Sequence, residues 1–461
     1  MPDENARKIA IAAFSNLSTA YNLVNINLAH VLLEKQYCSK EKCDGAVSAA
    51  STACLAGAII GQLTFGYIGD LLGRGAALRL TMILSIAGAL LSAFAVPLNS
   101  GDSSSVFVFL SVTRLILGVG VGGVYPLAAT VAAESSSGEN RGRSVALVFS
   151  MQGIGTVMVP IVGMIFLYSF GTYESRHADG KALAGISWRL ILGIGALPGI
   201  ILMPFQKMPR SSASEEVSGR MTLLEALRLR KYWRNLLGCA GGWFLFDITF
   251  YGNTLFAPTV LESVFHTGKG GTPVIGDTIQ TNLCWQLLIL GLIGLPGYYY
   301  SVWMMDSVGR KAIQLHGFIF MAALYGILGA SLDSLSNEPA LLLLIYGLTY
   351  FFSNFGPNST TFILPSESFP FEVRSSLNGF CAAAGKVGAT LGSATFKPMV
   401  TSYGSGTVFY CCSVCALLGV LVTIFCIDDR RGQAMEGDDT QLTEAREDTS
   451  CQMSSDRAVL S

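Results

Sequence analysis

The chain has 461 residues, of which 51% are hydrophobic and only 13% charged, and its formal net charge is −1. An ordinary soluble domain carries about a quarter charged residues, so these proportions exclude one, and they give no ground for a nucleic-acid partner. Membrane spans are the economical reading.

Apolar stretches long enough to cross a hydrocarbon core recur twelve times, at about 9–32, 46–68, 78–97, 106–132, 144–169, 187–204, 235–262, 281–304, 312–331, 339–365, 375–396 and 405–427. The first follows MPDENARK, is dotted with polar residues and shows no cleavage pattern, so it is expected to insert by itself. The 51 glycines suit close helix approach in lipid, where no hydrophobic force draws helices together. Lysine and arginine concentrate on one side. With both termini cytoplasmic, the inner loops hold fourteen of them, including Arg74, Arg141, Arg228, Arg310 and Arg374, and the outer loops hold six, including Lys40, Arg176 and Lys269. Cys38 and Cys43 share the first outer loop, where their separation fits a small disulfide or two free thiols equally well.

The second and eighth spans end alike. "GYIGDLLGRGAALRL" and "YYYSVWMMDSVGRKAIQL" both carry Asp followed by Gly-Arg, at Asp70, Gly73, Arg74 and Asp306, Gly309, Arg310. The fourth and tenth spans each end on a Glu with an Arg seven positions on: Glu134 and Arg141, Glu367 and Arg374. Repeats six spans apart imply a duplicated six-helix unit. The chain therefore divides into an N-terminal bundle at 1–204, a cytoplasmic linker at 205–232, a C-terminal bundle at 233–427 and a disordered cytoplasmic tail at 428–461, which is rich in Asp, Glu, Gln and Ser. The basic "LRLRKYWR" of the linker reads as a helix on the membrane surface. The eight charged residues at the inner ends of the spans read as a gating network that holds one conformation closed.

These repeats resemble the loop signatures of the major facilitator superfamily, and Gly69 and Lys311 extend the match. "RLILGVGVGG" is similar to that superfamily's fourth-helix motif. It also spells a dinucleotide-binding GxGxxG, but no strand precedes it and its glycines lie inside an apolar span. Within the superfamily, "GGVYPLAATVAAE", "FSMQGIG", "WFLFDITFYG", "NFGPNSTTFILPSESFP" and "AAAGKVGA" resemble the phosphate/proton symporters of fungi and plants. The resemblance implies an all-α membrane protein of twelve transmembrane helices in two pseudo-symmetric six-helix bundles. It implies a secondary active transporter of inorganic phosphate, by default in the plasma membrane, while the short outer loops leave vacuolar or other endomembranes open; no residue pattern argues for a cofactor, metal or obligate protein partner.

Residue positions agree with a midplane site. Asp247 and Lys386 each lie about twelve residues, or 18 Å, from the cytoplasmic start of their spans. Tyr125, Gln152 and Asn358 lie about nine residues in, and Trp243, Asp247 and Tyr251 share a helix face. Tyr, Trp, Gln and Asn donate hydrogen bonds and Lys supplies a point charge, which suits a tetrahedral oxyanion. Asp247 would repel an anion, yet dihydrogen phosphate has hydroxyls to donate to a carboxylate and sulfate has none. Asp247 is therefore expected to select phosphate, or to carry the coupling proton. Each residue also has a plainer reading: Asp247 and Lys386 as a structural interhelical pair, the aromatics as packing, the amides as interhelical hydrogen bonds. The sequon at Asn358 lies within a span and is accidental.

Three positions depart from the family pattern. Val124 stands where the family has Asp, and Thr19 and Asn22 stand where it has acidic residues around a Tyr in the first helix. Asn22, Asn25 and Asn27 cannot titrate near neutral pH, so coupling to protons falls to Asp247 alone or passes to another ion such as sodium. A membrane phosphate sensor without turnover, and a transporter of a glycerophosphodiester, are the competing functions. No arrangement of nucleophile, base and oxyanion donors points to an enzyme.

Overall fold

The computed structural model describes residues 4–38, 44–97, 103–170, 178–206, 223–265, 279–335 and 337–429, which form helices joined by short turns, with no strand among them. The first half comprises α1 (Glu4–Tyr37), α2 (Asp44–Leu72), α3 (Arg74–Ala93), α4 (Ser103–Glu134), α5 (Arg141–Phe170), and a sixth span made of α6 (Ala178–Gly193) and α7 (Leu197–Leu202). A short helix, α8 (Leu223–Arg228), precedes α9 (Arg230–Phe265), α10 (Ile279–Val308), α11 (Arg310–Leu335), α12 (Pro339–Ser353), α13 (Ser359–Ser368), α14 (Arg374–Tyr403) and α15 (Ser405–Cys426).

Nine stretches of the described residues are long and apolar enough to cross a membrane by composition. The other three long helices, α1, α9 and α14, fall short for one physical reason: they carry polar side chains buried inside the protein. Asn16, Thr19, Asn22 and Asn25 of α1, Asp247 and Asn253 of α9, and Asn378 and Lys386 of α14 are all buried. Polar groups at this depth are tolerated where they face protein or a cavity, not lipid.

Small residues set the packing. A side chain at Gly118 of α4 would strike the Cys54 carbonyl of α2, and one at Gly57 of α2 would strike the Leu115 carbonyl. In the second half, Gly388 and Gly392 of α14 lie against the backbone of α9 at Phe244 and Ile248. The two halves meet near the ends of the second and eleventh spans through Gly66 of α2 and Gly379 of α14, which approach the Ser375 and Gln62 carbonyls respectively. Close backbone contact of this kind substitutes in lipid for the hydrophobic force it lacks.

Two turns repeat between the halves. Gly73, between α2 and α3, and Gly309, between α10 and α11, have φ of 90° and 97°, a region glycine enters freely. The tenth span is broken. Between α12 and α13, Phe355 (φ −83°, ψ 55°) and Gly356 (φ 178°, ψ −129°) leave the helix just before Pro357, whose ring would clash with the carbonyl four residues back in a regular helix. Gly317 of α11 packs against Gly356 with no side chain between them. The Asn354 carbonyl freed by the break accepts Ser301 Oγ at 2.9 Å and Ser359 Oγ at 2.7 Å.

Some expectations shift. α3 starts at Arg74, earlier than 78, and the sixth span is segmented, with 3-10 turns at Ile194–Ala196 and Met203–Phe205. The basic stretch at 227–234 does not form a linker helix of its own: its first two residues end α8, whose Ala226 is buried, and Arg230–Arg234 open α9. The seventh span begins at Arg230, inside the range read as linker. Residues 207–222 of that linker, residues 430–461 of the tail and Cys43 lie outside the described residues; Cys38 is disulfide-bonded.

Candidate functional site

A narrow buried cavity lies where the halves meet, lined by Tyr125, Phe149, Gln152, Trp243, Asp247, Phe250, Tyr251, Asn358 and Lys386, with room for about one water molecule. All seven side chains singled out in the sequence for substrate face it together. α9 supplies Trp243, Asp247 and Tyr251 from one stripe, α14 supplies Lys386, and α13 is led in by the helix break so that Asn358 sits at its start. From the first half come Tyr125 of α4 and Gln152 of α5.

The ammonium of Lys386 donates to Asp247 Oδ2 at 2.9 Å and to Tyr251 Oη at 3.3 Å. It also stands 4.9 Å from the ring centroid of Tyr251 and 5.7 Å from that of Tyr125. Both charged side chains are almost wholly buried, at 5% and 4% exposure. At this depth the pair holds only because each ion satisfies the other. Across the cavity the Tyr125 hydroxyl donates to Gln152 Oε1 at 2.9 Å. Asn358 Nδ2 donates to Tyr298 Oη at 2.9 Å and to Asn354 Oδ1 at 2.7 Å, so its orientation is fixed from behind. One wall is aromatic: Phe362 stacks on Phe149 at 4.6 Å between centroids and meets Tyr125 and Trp243 edge-on at 6.1 and 6.5 Å. Phe362 precedes Glu367 by five residues, about 7.5 Å of helix, so this wall separates the cavity from the face that carries Glu367.

That face is closed by ion pairs arranged twice. Asp70 accepts the Ser375 N–H at 3.2 Å and the Ser376 N–H at 2.7 Å, capping α14 from the other half. Asp306 accepts the Gly142 N–H at 3.0 Å and the Arg143 N–H at 2.8 Å, capping α5 in the reciprocal sense. A carboxylate at a helix N-terminus is stabilised by unpaired N–H groups and by the helix dipole. Arg74 pairs with Asp70 at 3.1 Å and Glu134 at 3.2 Å, and Arg310 with Asp306 at 3.0 Å and Glu367 at 2.7 Å.

Glu134 also pairs with Arg374 of the other half at 3.1 Å. The Phe371 carbonyl accepts Arg74 Nη2 at 2.6 Å, and the Phe371 ring lies 4.5 Å from the Arg74 guanidinium and 5.7 Å from that of Arg374. Arg141 is buried at the start of α5. The eight expected gating residues therefore share one face.

Sequence reasoning passed over Phe149, Phe250, Phe362, Tyr298 and Asn354. The phenylalanines carry no polar signal among 26 of their kind, and Tyr298 hides in a run that reads as an interfacial aromatic belt. Asn354 was detectable, since it stands four residues before Asn358 and so on its face.

Two helical bundles, locked at one face around a buried polar cavity, define a multi-pass membrane carrier. A family model described as Major Facilitator Superfamily matches residues 10–393, and the chain belongs to that superfamily. It is similar to "Inorganic phosphate transporter PT2" of Toxoplasma gondii, 33% identical over 428 residues, 92% of this chain and 72% of that protein. It is also similar to "Probable inorganic phosphate transporter 1-6" of Arabidopsis thaliana, 31% identical over 478 residues, 93% of this chain and 92% of that one. Among solved structures, the proton:xylose symporter XylE bound to 6-bromo-6-deoxy-D-glucose superposes with a TM-score of 0.75 at 19% identity, covering 95% of this chain and 98% of that one. The E. coli fucose:proton symporter FucP gives 0.67 at 12% identity, covering 91% and 99%. These establish the twelve-helix fold.

Proposed function

We propose that the chain moves inorganic phosphate across a membrane by alternating access. The observation that carries this reading is the Lys386–Asp247 pair inside a cavity of hydroxyl, indole and amide groups contributed by both halves. Lys386 attracts the anion, Tyr125, Gln152, Trp243, Tyr251 and Asn358 donate to its oxygens, and Asp247 accepts from its hydroxyls. The names of the relatives support the same substrate. Asp247 is the one carboxylate among the cavity residues, so a proton taken up by the protein at this site would reside there. The cytoplasmic ion pairs hold the inner side shut and part when the halves rock. The distribution of lysine and arginine supports cytoplasmic termini, and the resemblance to phosphate symporters supports the plasma membrane.

The test is uptake of labelled phosphate into proteoliposomes by wild type and Lys386→Ala, with the variant's membrane insertion verified. Saturable uptake lost in the variant is expected; equal uptake by both would sink the assignment of the site.

A further inference from the structure

Outside the cytoplasmic network, three charged side chains among the described residues are buried in the bundles: Asp247, Lys386 and Arg114. The first two pair with each other. Arg114 of α4 is fully buried, and its donors reach only neutral acceptors: Nη1 to the Asn22 carbonyl at 3.1 Å, and Nη1 and Nη2 to Asn25 Oδ1 at 3.1 and 3.2 Å. The titratable groups that face it are Cys54 of α2 and Tyr21 of α1, both uncharged at neutral pH. Tyr21 gives its hydroxyl to the Ile191 carbonyl at 3.0 Å. No carboxylate pairs with Arg114 among the described residues, and its Nε, like Asn22 Oδ1, lacks a hydrogen-bond partner there. Among the described residues the interior thus holds one positive charge that nothing nearby balances, a state that low-dielectric surroundings disfavour.

We infer that the transported anion is itself the counter-charge of Arg114, so that the carrier loaded with monovalent phosphate is neutral inside and turns over without a separate proton. This rests on the phosphate reading above. Dihydrogen phosphate enters with both its protons, donates its hydroxyls to Asp247 while Asp247 stays ionised against Lys386, and leaves as the same species. Adding a co-bound proton would restore the unbalanced positive charge, and hydrogenphosphate would leave a negative one. Arg114 precedes Tyr125 by eleven residues, about 16 Å along α4. At an effective dielectric constant of about 20, one charge at that distance changes the affinity for a monoanion roughly fivefold. Asn25 holds the guanidinium by its amide dipole and so leaves that field intact, whereas an aspartate of the same shape would cancel it.

The experiment compares wild type and Asn25→Asp in proteoliposomes with membrane potential and pH gradient set independently. In wild type an inside-positive potential accelerates initial phosphate uptake, because each turnover carries in one negative charge. An inward proton gradient at zero potential, with external dihydrogen phosphate held constant, leaves uptake unchanged. Asn25→Asp raises KM about fivefold. Acceleration by the proton gradient alone, insensitivity to potential, or an unchanged KM in the variant would each overturn the inference and leave phosphate transport standing. Absence of saturable phosphate uptake under every driving force would instead remove the phosphate reading. The charge imbalance is then judged by thermal unfolding without substrate, where Asn25→Asp must melt higher than wild type, and an equal or lower midpoint refutes it.

Discussion

The Asp70 carboxylate accepts the backbone N–H of Ser376 at 2.7 Å and its hydroxyl at 2.5 Å, tying the second span of one half to the eleventh span of the other across 306 positions of sequence. Asp306 makes the reciprocal contact with Gly142, so the inner face is latched twice by the same device.

Loss of one latch should shift the conformational balance. Asp70→Asn removes the charge that faces the N-terminus of α14, an effect of about 1–2 kcal/mol. The population closed at this face should fall roughly 5–30-fold relative to the open one. Distances between spin labels across the inner face would report this, and an unchanged distribution would contradict it.

Arg310 and Glu367 test stability more than balance. Arg310→Gln leaves Glu367, 4% exposed, without its bidentate partner at 2.7 and 2.9 Å. Breaking a buried pair from one side costs about 3–5 kcal/mol. The thermal midpoint in detergent should drop clearly for Arg310→Gln and recover in part when Glu367→Gln is added; additive losses would contradict the pairing.

Two glycines should behave differently. Gly118→Ala drives a methyl group into the Cys54 carbonyl where α2 and α4 touch, so the helices must separate. Gly73→Ala meets open space and suffers only its φ of 90°, about 1 kcal/mol. Folded yield and melting temperature should fall more for the first, and the reverse order would mean that the α2–α4 contact is looser than described.

Asp247→Asn addresses selectivity. The carboxylate accepts hydroxyls that dihydrogen phosphate has and sulfate lacks, and it repels the sulfate dianion about twice as strongly as the phosphate monoanion. The amide should narrow the preference, so that sulfate competes with phosphate uptake about tenfold better, a difference of roughly 1.4 kcal/mol. Competition curves with labelled phosphate measure this, and a constant sulfate inhibition would remove selectivity from the roles of Asp247.

Most of the architecture was legible because lipid imposes long apolar runs and duplication repeats their signals. Asp70 and Asp306 announce each other through the Gly-Arg that follows each. What escaped depends on facing. The Phe149–Phe362 stack is formed by ordinary apolar residues from different halves, and no local pattern joins them. The break at Phe355 and Gly356 was hidden inside an apolar run, since Pro357 bends a helix by an amount that the packing of Gly317 decides. Arg114 was visible as the first letter of a glycine motif, but that its partner would be the neutral Asn25 emerges only from the packing of α4 on α1.

The three helices too polar to pass as spans have a bearing on how the protein is made. Asp247 leaves the ribosome 139 residues ahead of Lys386, which at about 5–20 residues per second is roughly 7 to 28 s of synthesis. During that time α9 holds a carboxylate at membrane depth with no ammonium to meet it, a poor helix to release into lipid. Stable integration of the second half must therefore await α14, and a ribosome that stops before Lys386 leaves a chain that the membrane's quality control can recognise by its unmatched charge.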